Sequence, residues 1–163
     1  MKKYKILFVC LGNICRSPTA DGIMRKLVKD AGLEHLIEID SAGTGGWHIG
    51  SLPDPRSMQH AAKRGYDLSS LRARKVHFND FSEYDLILAM DNSNYSDLFE
   101  LCEHQHRNKV KLFLEHFGDE KGRETRQVPD PYYKGAEGFE EVLDLVEAAC
   151  ANLLEYVKQE IKP

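Results

Sequence analysis

The chain has 163 residues, 42% of them apolar and 29% charged, the balance of an ordinary globular protein that needs no metal or disulfide staple to hold a core. Lys and Arg number 22 against 26 Asp and Glu, a net charge of -4, which excludes a general nucleic-acid binder because affinity for a phosphate backbone needs clustered excess basic charge. The uncharged apolar run Ile6 to Cys15 is too short and too polar for a membrane span, which takes about 20 apolar residues, and Met1-Lys2-Lys3 does not open a secretory signal. A cytoplasmic protein with no membrane partner is expected. In that reducing compartment the four cysteines, Cys10, Cys15, Cys102 and Cys150, are expected to be thiols.

Ile6-Leu7-Phe8-Val9 predicts a buried parallel strand. A loop from Cys10 to Arg16 follows. Ser17-Pro18 reads as an N-cap with proline at the first helical position. Ala20, Ile23, Met24, Leu27 and Val28 recur at helical spacing, and Gly32 can end that helix. Ile37 to Ala42 is a second strand, completing a right-handed βαβ unit. A glycine-rich loop, 43 to 54, carries Trp47 and His48. Asp54-Pro55 repeats the cap-then-proline signal for a helix to about Arg64. Asp85 to Met90 is a third strand, Asp91 caps a helix from Ser93 to Glu103, and Val110 to Leu114 is a fourth strand. Residues 118 to 135 are expected as a long polar loop containing Asp130-Pro131-Tyr132-Tyr133, and Gly138 to Ile161 as an amphipathic helix. Glu103-His104-Gln105-His106 is expected as a solvated loop, since its two histidines do not share a helix face. The alternation predicts one α/β domain over residues 1 to 163, in three layers, with helices on both faces of the sheet. Ligands of such sheets sit beyond the carboxyl ends of the strands, where the Cys10–Arg16 loop lies.

That loop reads Cys10-Leu11-Gly12-Asn13-Ile14-Cys15-Arg16-Ser17. Between a strand and a helix N-terminus its N–H groups can curl into an anion cradle. Gly12 allows a positive φ and Asn13 tolerates one. Arg16 adds a planar fork suited to two phosphate oxygens. A cysteine at this rim is favoured as thiolate, an in-line nucleophile toward a bound tetrahedral oxyanion, and Ser17 can donate to it. Taken singly, Cys10 reads as packing and Asp130 as a turn-starting Asp before proline. The spacing of the cysteines suits no zinc half-site, and the loop lacks the Walker glycine and lysine pattern. The whole string is another matter: at average composition it arises on the order of once per 10⁸ positions.

The loop resembles the C-x5-R-[ST] signature of phosphatases that work through a cysteinyl-phosphate. Its N-terminal place, the form Cys-x-x-Gly-Asn-x-Cys-Arg-Ser-Pro and the late Asp130-Pro131-Tyr132-Tyr133 resemble the low-molecular-weight protein tyrosine phosphatases over essentially the whole chain. Asp40-Ser41-Ala42 and Met90-Asp91-Asn92-Ser93-Asn94 agree as well. The resemblance implies a four-stranded parallel sheet and a phosphotyrosine-containing protein as substrate, with phosphate released and no cofactor or metal. It implies Cys10 as nucleophile, Arg16 and the loop from Leu11 to Ser17 as phosphate binders, and Asp130 as the general acid. Asn13, Ser17 and Ser41 would support the loop. Trp47, Tyr132 and Tyr133 would wall the substrate cleft, with His48 and Asp54 nearby. Cys10 and Cys15 would form a reversible protective disulfide. One departure is Ser70, which stands where better-known members hold a histidine bonded to the loop asparagine. Cys150 is expected in the core and Cys102 inert. A monomer is expected.

Three rivals are weighed. Thioredoxin-coupled arsenate reductases share the fold and loop but need two further closely spaced cysteines after the third strand, where this chain has only Cys102. Protein arginine phosphatases carry Thr at the position of Ile14, and Ile14 with Trp47 favours an aryl substrate. A non-catalytic phosphate-binding module is expected to lack the nucleophile or the acid.

Overall fold

In the computed structural model, which describes residues 2–162, the first strand, β1 (Tyr4–Cys10), divides its side chains between two cores. Ile6, Phe8 and Cys10 enter one, Leu7 and Val9 the other. Both faces are covered, so the strand is apolar throughout instead of alternating. Helix α1 (Arg16–Asp30) follows and sets Ala20, Ile23, Met24 and Val28 on the first core. It starts at Arg16, with Cys15 as cap, and not at the Ser17-Pro18 pair. Pro18 then sits in the first turn, where its missing N–H leaves no bond unmade. The helix stops before Gly32, whose φ of 72° reverses the chain.

Strand β2 (Ile37–Gly43) pairs parallel with β1, from Tyr4 against Ile37 to Cys10 against Gly43. Asp54 caps α2 (Pro55–Lys63), its carboxylate accepting from the Arg56 N–H at 2.8 Å. A short helix, α3 (Asp80–Glu83), leads into β3 (Leu86–Ala89), which lies on the other side of β1. Asp91 caps α4 (Asn92–Leu101) by accepting from the Asn94 N–H at 2.8 Å. Strand β4 (Val110–Leu112) closes the sheet beside β3.

Helix α3 has no counterpart in the expected assignment, and three later stretches depart from it. His104, Gln105 and His106 fall in a 3-10 helix over His104–Lys109, which Glu103 precedes in extended conformation. The fourth strand ends at Leu112 because Phe113, Leu114 and Phe117 turn inward on a short helix, α5 (Phe113–Phe117). The long loop contains α6 (Glu120–Thr125), capped by Asp119. The last helix, α7 (Ala136–Glu160), lies against α1, α2 and α5.

The sheet order is β2-β1-β3-β4, all parallel, with residues of α1, α5 and α7 on one core and of α3 and α4 on the other. This is the three-layer α/β architecture with a four-stranded parallel sheet. The chain leaves β1 toward β2 and then crosses to β3, so the carboxyl end of β1 is the point where the winding reverses, and a ligand crevice opens there. Among the described residues no helix is long and apolar enough to cross a membrane.

Candidate active site

The loop after β1 is shaped from outside. Its carbonyls are taken by neighbours: Thr44 N–H donates to Cys10 at 3.0 Å, Gly45 N–H to Leu11 at 2.9 Å and Asp54 N–H to Ile14 at 2.7 Å. The Thr19 hydroxyl takes the Cys15 carbonyl at 2.7 Å. Gly43 permits this approach, since a Cβ there would stand 2.7 Å from the Leu11 carbonyl oxygen. With the carbonyls turned outward, none of the main-chain N–H groups from Leu11 to Ser17 has a protein acceptor among the described residues. The left-handed turn falls on Asn13, at φ 58°, and not on Gly12. Its side chain stabilises that conformation: Nδ2 donates to Ser17 Oγ at 2.7 Å, and Oδ1 accepts from the Arg74 N–H at 3.0 Å. Gly12 serves another purpose, for a Cβ there would lie 3.0 Å from the His48 ring.

Cys10 ends β1 with its sulfur 3.0 Å from Ser17 Oγ and 3% of its surface exposed. Arg16 is 4% exposed, and its Nη1 donates to Asp91 Oδ2 at 2.7 Å and to the Val128 carbonyl at 3.1 Å. Nε and Nη2 have no acceptor among the described residues, so that edge of the guanidinium is available to an anion. Burial works against the Arg16 charge, but Cys10, Asp91 and Asp130 outweigh it and hold the guanidinium more firmly protonated.

Cys10, Leu11, Gly12, Ile14, Cys15, Arg16, Trp47, His48, Asp130, Tyr132 and Tyr133 line one cavity of about 260 Å³. Trp47, Tyr132 and Tyr133 are the aromatic part of that lining. Trp47 and Tyr133 stand 73% and 94% exposed at the rim, and Tyr132 meets Tyr133 edge-on at 4.9 Å. The Asp130 carboxylate accepts from the Tyr132 N–H at 3.0 Å through Oδ1. Cys15 is buried, and that burial pushes its thiol from the ordinary 9.0 up to about 12.

One expected support lies elsewhere. Ser41 is buried on β2 beside the Asp21 carboxylate and makes no hydrogen bond to the loop among the described residues. Ser70 is exposed and takes no part in holding Asn13; that bond comes from the Arg74 main chain. Arg74, missed in the sequence, is in turn fixed by Asp40 and Asp80, each at 3.0 Å. Asp91 is legible in the sequence as a helix cap and as part of the Met90–Asn94 agreement with the family, but its bond to Arg16 has no local signal. Cys150 is fully buried in the first core, and Cys102 is buried at the end of α4.

Comparison with known proteins places the whole chain in a family. Residues 5–163 match the family described as low molecular weight phosphotyrosine protein phosphatase. The low molecular weight protein-tyrosine-phosphatase of Streptomyces coelicolor is 44% identical over 98% of this chain and 96% of its own. YfkJ of Bacillus subtilis, a low molecular weight protein-tyrosine-phosphatase, is 40% identical over 95% of this chain and 96% of its own. Its crystal structure has a TM-score of 0.92 to this one and covers 99% of each chain. A protein tyrosine phosphatase of Entamoeba histolytica, crystallised with Hepes in its active site, has a TM-score of 0.91 at 40% identity, over 97% of this chain and 99% of that one. The chain belongs to the low molecular weight phosphotyrosine protein phosphatase family.

Proposed function

We propose that the protein hydrolyses phosphotyrosine in protein substrates through a cysteinyl-phosphate on Cys10. The observation that carries this reading is the set of unpartnered N–H groups from Leu11 to Ser17, closed by the free edge of Arg16, around the cavity that Cys10 lines. Three equatorial phosphoryl oxygens fit such a cradle, and donors fixed before the reaction stabilise the transition state without reorganising. The Cys10 sulfur attacks phosphorus as the bond to the tyrosyl oxygen breaks. Asp130 gives its proton to that oxygen, which matters because the parent phenol has a pKa of ~10. The Asp130 carboxylate then takes a proton from water, the water oxygen bonds to phosphorus, and the Cys10 thiolate leaves with its electron pair. Inorganic phosphate is released. With Oδ1 held by the Tyr132 N–H, Oδ2 is the oxygen left to carry the proton.

The aromatic rim supports an aryl phosphate. Ile14 and Trp47 border the same cavity, which favours phosphotyrosine over phosphoarginine. Neither Cys102 nor Cys150 lines that cavity, so an arsenate-reducing relay of thiols finds no support. The reading includes a cytoplasmic monomer whose Cys10 and Cys15 form a reversible disulfide. The test is phosphate release from a phosphotyrosine peptide, with reductant and chelator present, against the same peptide carrying phosphoarginine. Release from the first alone is expected, and release from the second alone would replace this substrate with the other.

A further inference from the structure

We propose that Arg56 is a positioning residue for the general acid, fixing the Asp130 segment to the phosphate-binding loop; this rests on the reading of Asp130 given above. The segment from Val128 to Tyr133 reaches the cavity as irregular backbone between α6 and α7. Its start is pinned, since Val128 N–H donates to the Met90 carbonyl at 2.8 Å and its own carbonyl accepts from Arg16. From Asp130 to Tyr133, Arg56 is the one side chain from outside the segment to bond it among the described residues. Its Nη1 donates to the Tyr132 carbonyl at 2.9 Å. The N–H of that same residue, Tyr132, donates to Asp130 Oδ1 at 3.0 Å.

The other end of the strut is equally defined. Asp54 Oδ1 accepts from Arg56 Nε at 3.1 Å, and Oδ2 from Nη2 at 2.9 Å. Asp54 is buried, and its N–H donates to the Ile14 carbonyl at 2.7 Å. The guanidinium also lies over the rings of Tyr132 and Phe139, 5.1 and 4.8 Å from their centroids. One path therefore runs from the Ile14 carbonyl through Asp54, Arg56 and Tyr132 to the Asp130 carboxylate. An exposed ion pair by itself does little. This one ties the element that binds the phosphoryl group to the element that protonates its leaving group. Lysine cannot replace it, because a single ammonium cannot hold both Asp54 oxygens, reach the Tyr132 carbonyl and stack on two rings.

The test uses Arg56→Ala and Arg56→Lys, each alone and combined with Asp130→Ala, on a series of aryl phosphates whose phenols range from acidic to weakly acidic. The expected result is a loss of kcat/KM of about tenfold to a hundredfold for the poorest leaving groups and little change for the best. The dependence on leaving-group pKa steepens, and in the Asp130→Ala background the Arg56 substitutions add nothing further. The slope compares substrates on one sample, so a partly unfolded variant cannot imitate it. Equal loss for all leaving groups, an unchanged slope, or the same loss without Asp130 would overturn the proposal. If the unmodified protein releases phosphate from no aryl phosphate, both the phosphatase reading and this one fall, and that is seen before any variant is made.

Discussion

Arg16 and Asp91, 75 residues apart in sequence, meet at 2.7 Å, and the contact aims the guanidinium. Asp91 and the Val128 carbonyl hold Nη1, and Nε and Nη2 have no acceptor among the described residues at the cavity that Arg16 lines. The same Asp91 carboxylate caps α4 through its other oxygen. One side chain thus orients the arginine that lines the cavity and anchors the helix after β3.

Asp91→Ala should remove both functions. Breaking a mostly buried ion pair and losing a helix cap together should cost about 2–4 kcal/mol of stability. Asp91→Asn keeps an acceptor for the cap and loses the charge, so it should cost less. Urea unfolding measures the stability, and inhibition by inorganic phosphate reports the Arg16 geometry. Equal phosphate affinity in wild type and Asp91→Ala would mean that Arg16 holds its aim without Asp91.

Ser17 accepts from Asn13 at 2.7 Å, so its own proton is directed at the Cys10 sulfur, 3.0 Å away, or the Ala42 carbonyl at 3.5 Å. The shorter contact should win when the sulfur is anionic. Ser17→Ala should lower kcat by about tenfold to a hundredfold, the worth of a hydrogen bond to a charged group. Cys10→Ser should abolish turnover and keep phosphate affinity, because the cradle is main chain and Arg16. Steady-state kinetics and phosphate titration check the pair; turnover by Cys10→Ser would remove the sulfur from the mechanism.

Cys15 gives a pH signature. Burial raises its thiol from the ordinary 9.0 to about 12, so between those values the folded chain keeps a proton that the unfolded chain loses. The stabilisation is full below the lower value and is lost as pH rises through the window, at up to about 1.4 kcal/mol per pH unit. The buried Cys150 acts in the same direction. Cys15→Ser should therefore flatten the alkaline decline in stability without abolishing it, as measured by urea unfolding at several alkaline pH values. An unchanged decline would place the effect elsewhere.

The same raised thiol keeps Cys15 protonated at neutral pH, so peroxide should act first on Cys10. Cys15 can then condense with the resulting sulfenic acid, forming the disulfide and releasing water. Cys15→Ser should leave turnover nearly intact and slow the recovery of activity when reductant follows peroxide. Recovery at the wild-type rate would remove the protective role.

The Trp47 ring lies across Gly45, where an added Cβ would meet its Cζ3 at 1.8 Å. Gly45→Ala should push the ring off the cavity mouth. Both Gly45→Ala and Trp47→Ala should raise KM for phosphotyrosine about threefold to tenfold, the worth of one aromatic contact, with kcat little changed. Wild-type KM in Trp47→Ala would show that the ring does not wall the substrate.

The central βαβ unit and the loop were legible because the signals are local. Apolar run, glycine-asparagine turn and helix periodicity all fall within residues 4 to 30. Asp130 was legible only through its pairing with Cys10. The braces were not: Arg74 reaches Asn13 across 61 residues, Asp91 reaches Arg16 across 75, and Arg56 reaches Tyr132 across 76. No spacing rule spans such distances. The fourth strand was read too long because Phe113 and Leu114 continue its apolar run, although they pack from a helix. Helix α6 was missed because Glu120-Lys121-Gly122-Arg123 offers no apolar face, and only the Asp119 cap marks it. Ser70 stands where better-known members hold a histidine, and it is exposed, so the bond to Asn13 comes from the Arg74 main chain instead.

The most direct test of the account is to trap the phosphoenzyme. A phosphotyrosine peptide is mixed with the protein, the reaction is stopped in denaturant within the first turnovers, and the digest is searched for a phosphorylated cysteine. The account predicts a phosphoryl group on the Cys10 sulfur, present in wild type and absent after Cys10→Ser. Phosphate release with no covalent adduct at any time, or an adduct on another residue, would contradict it.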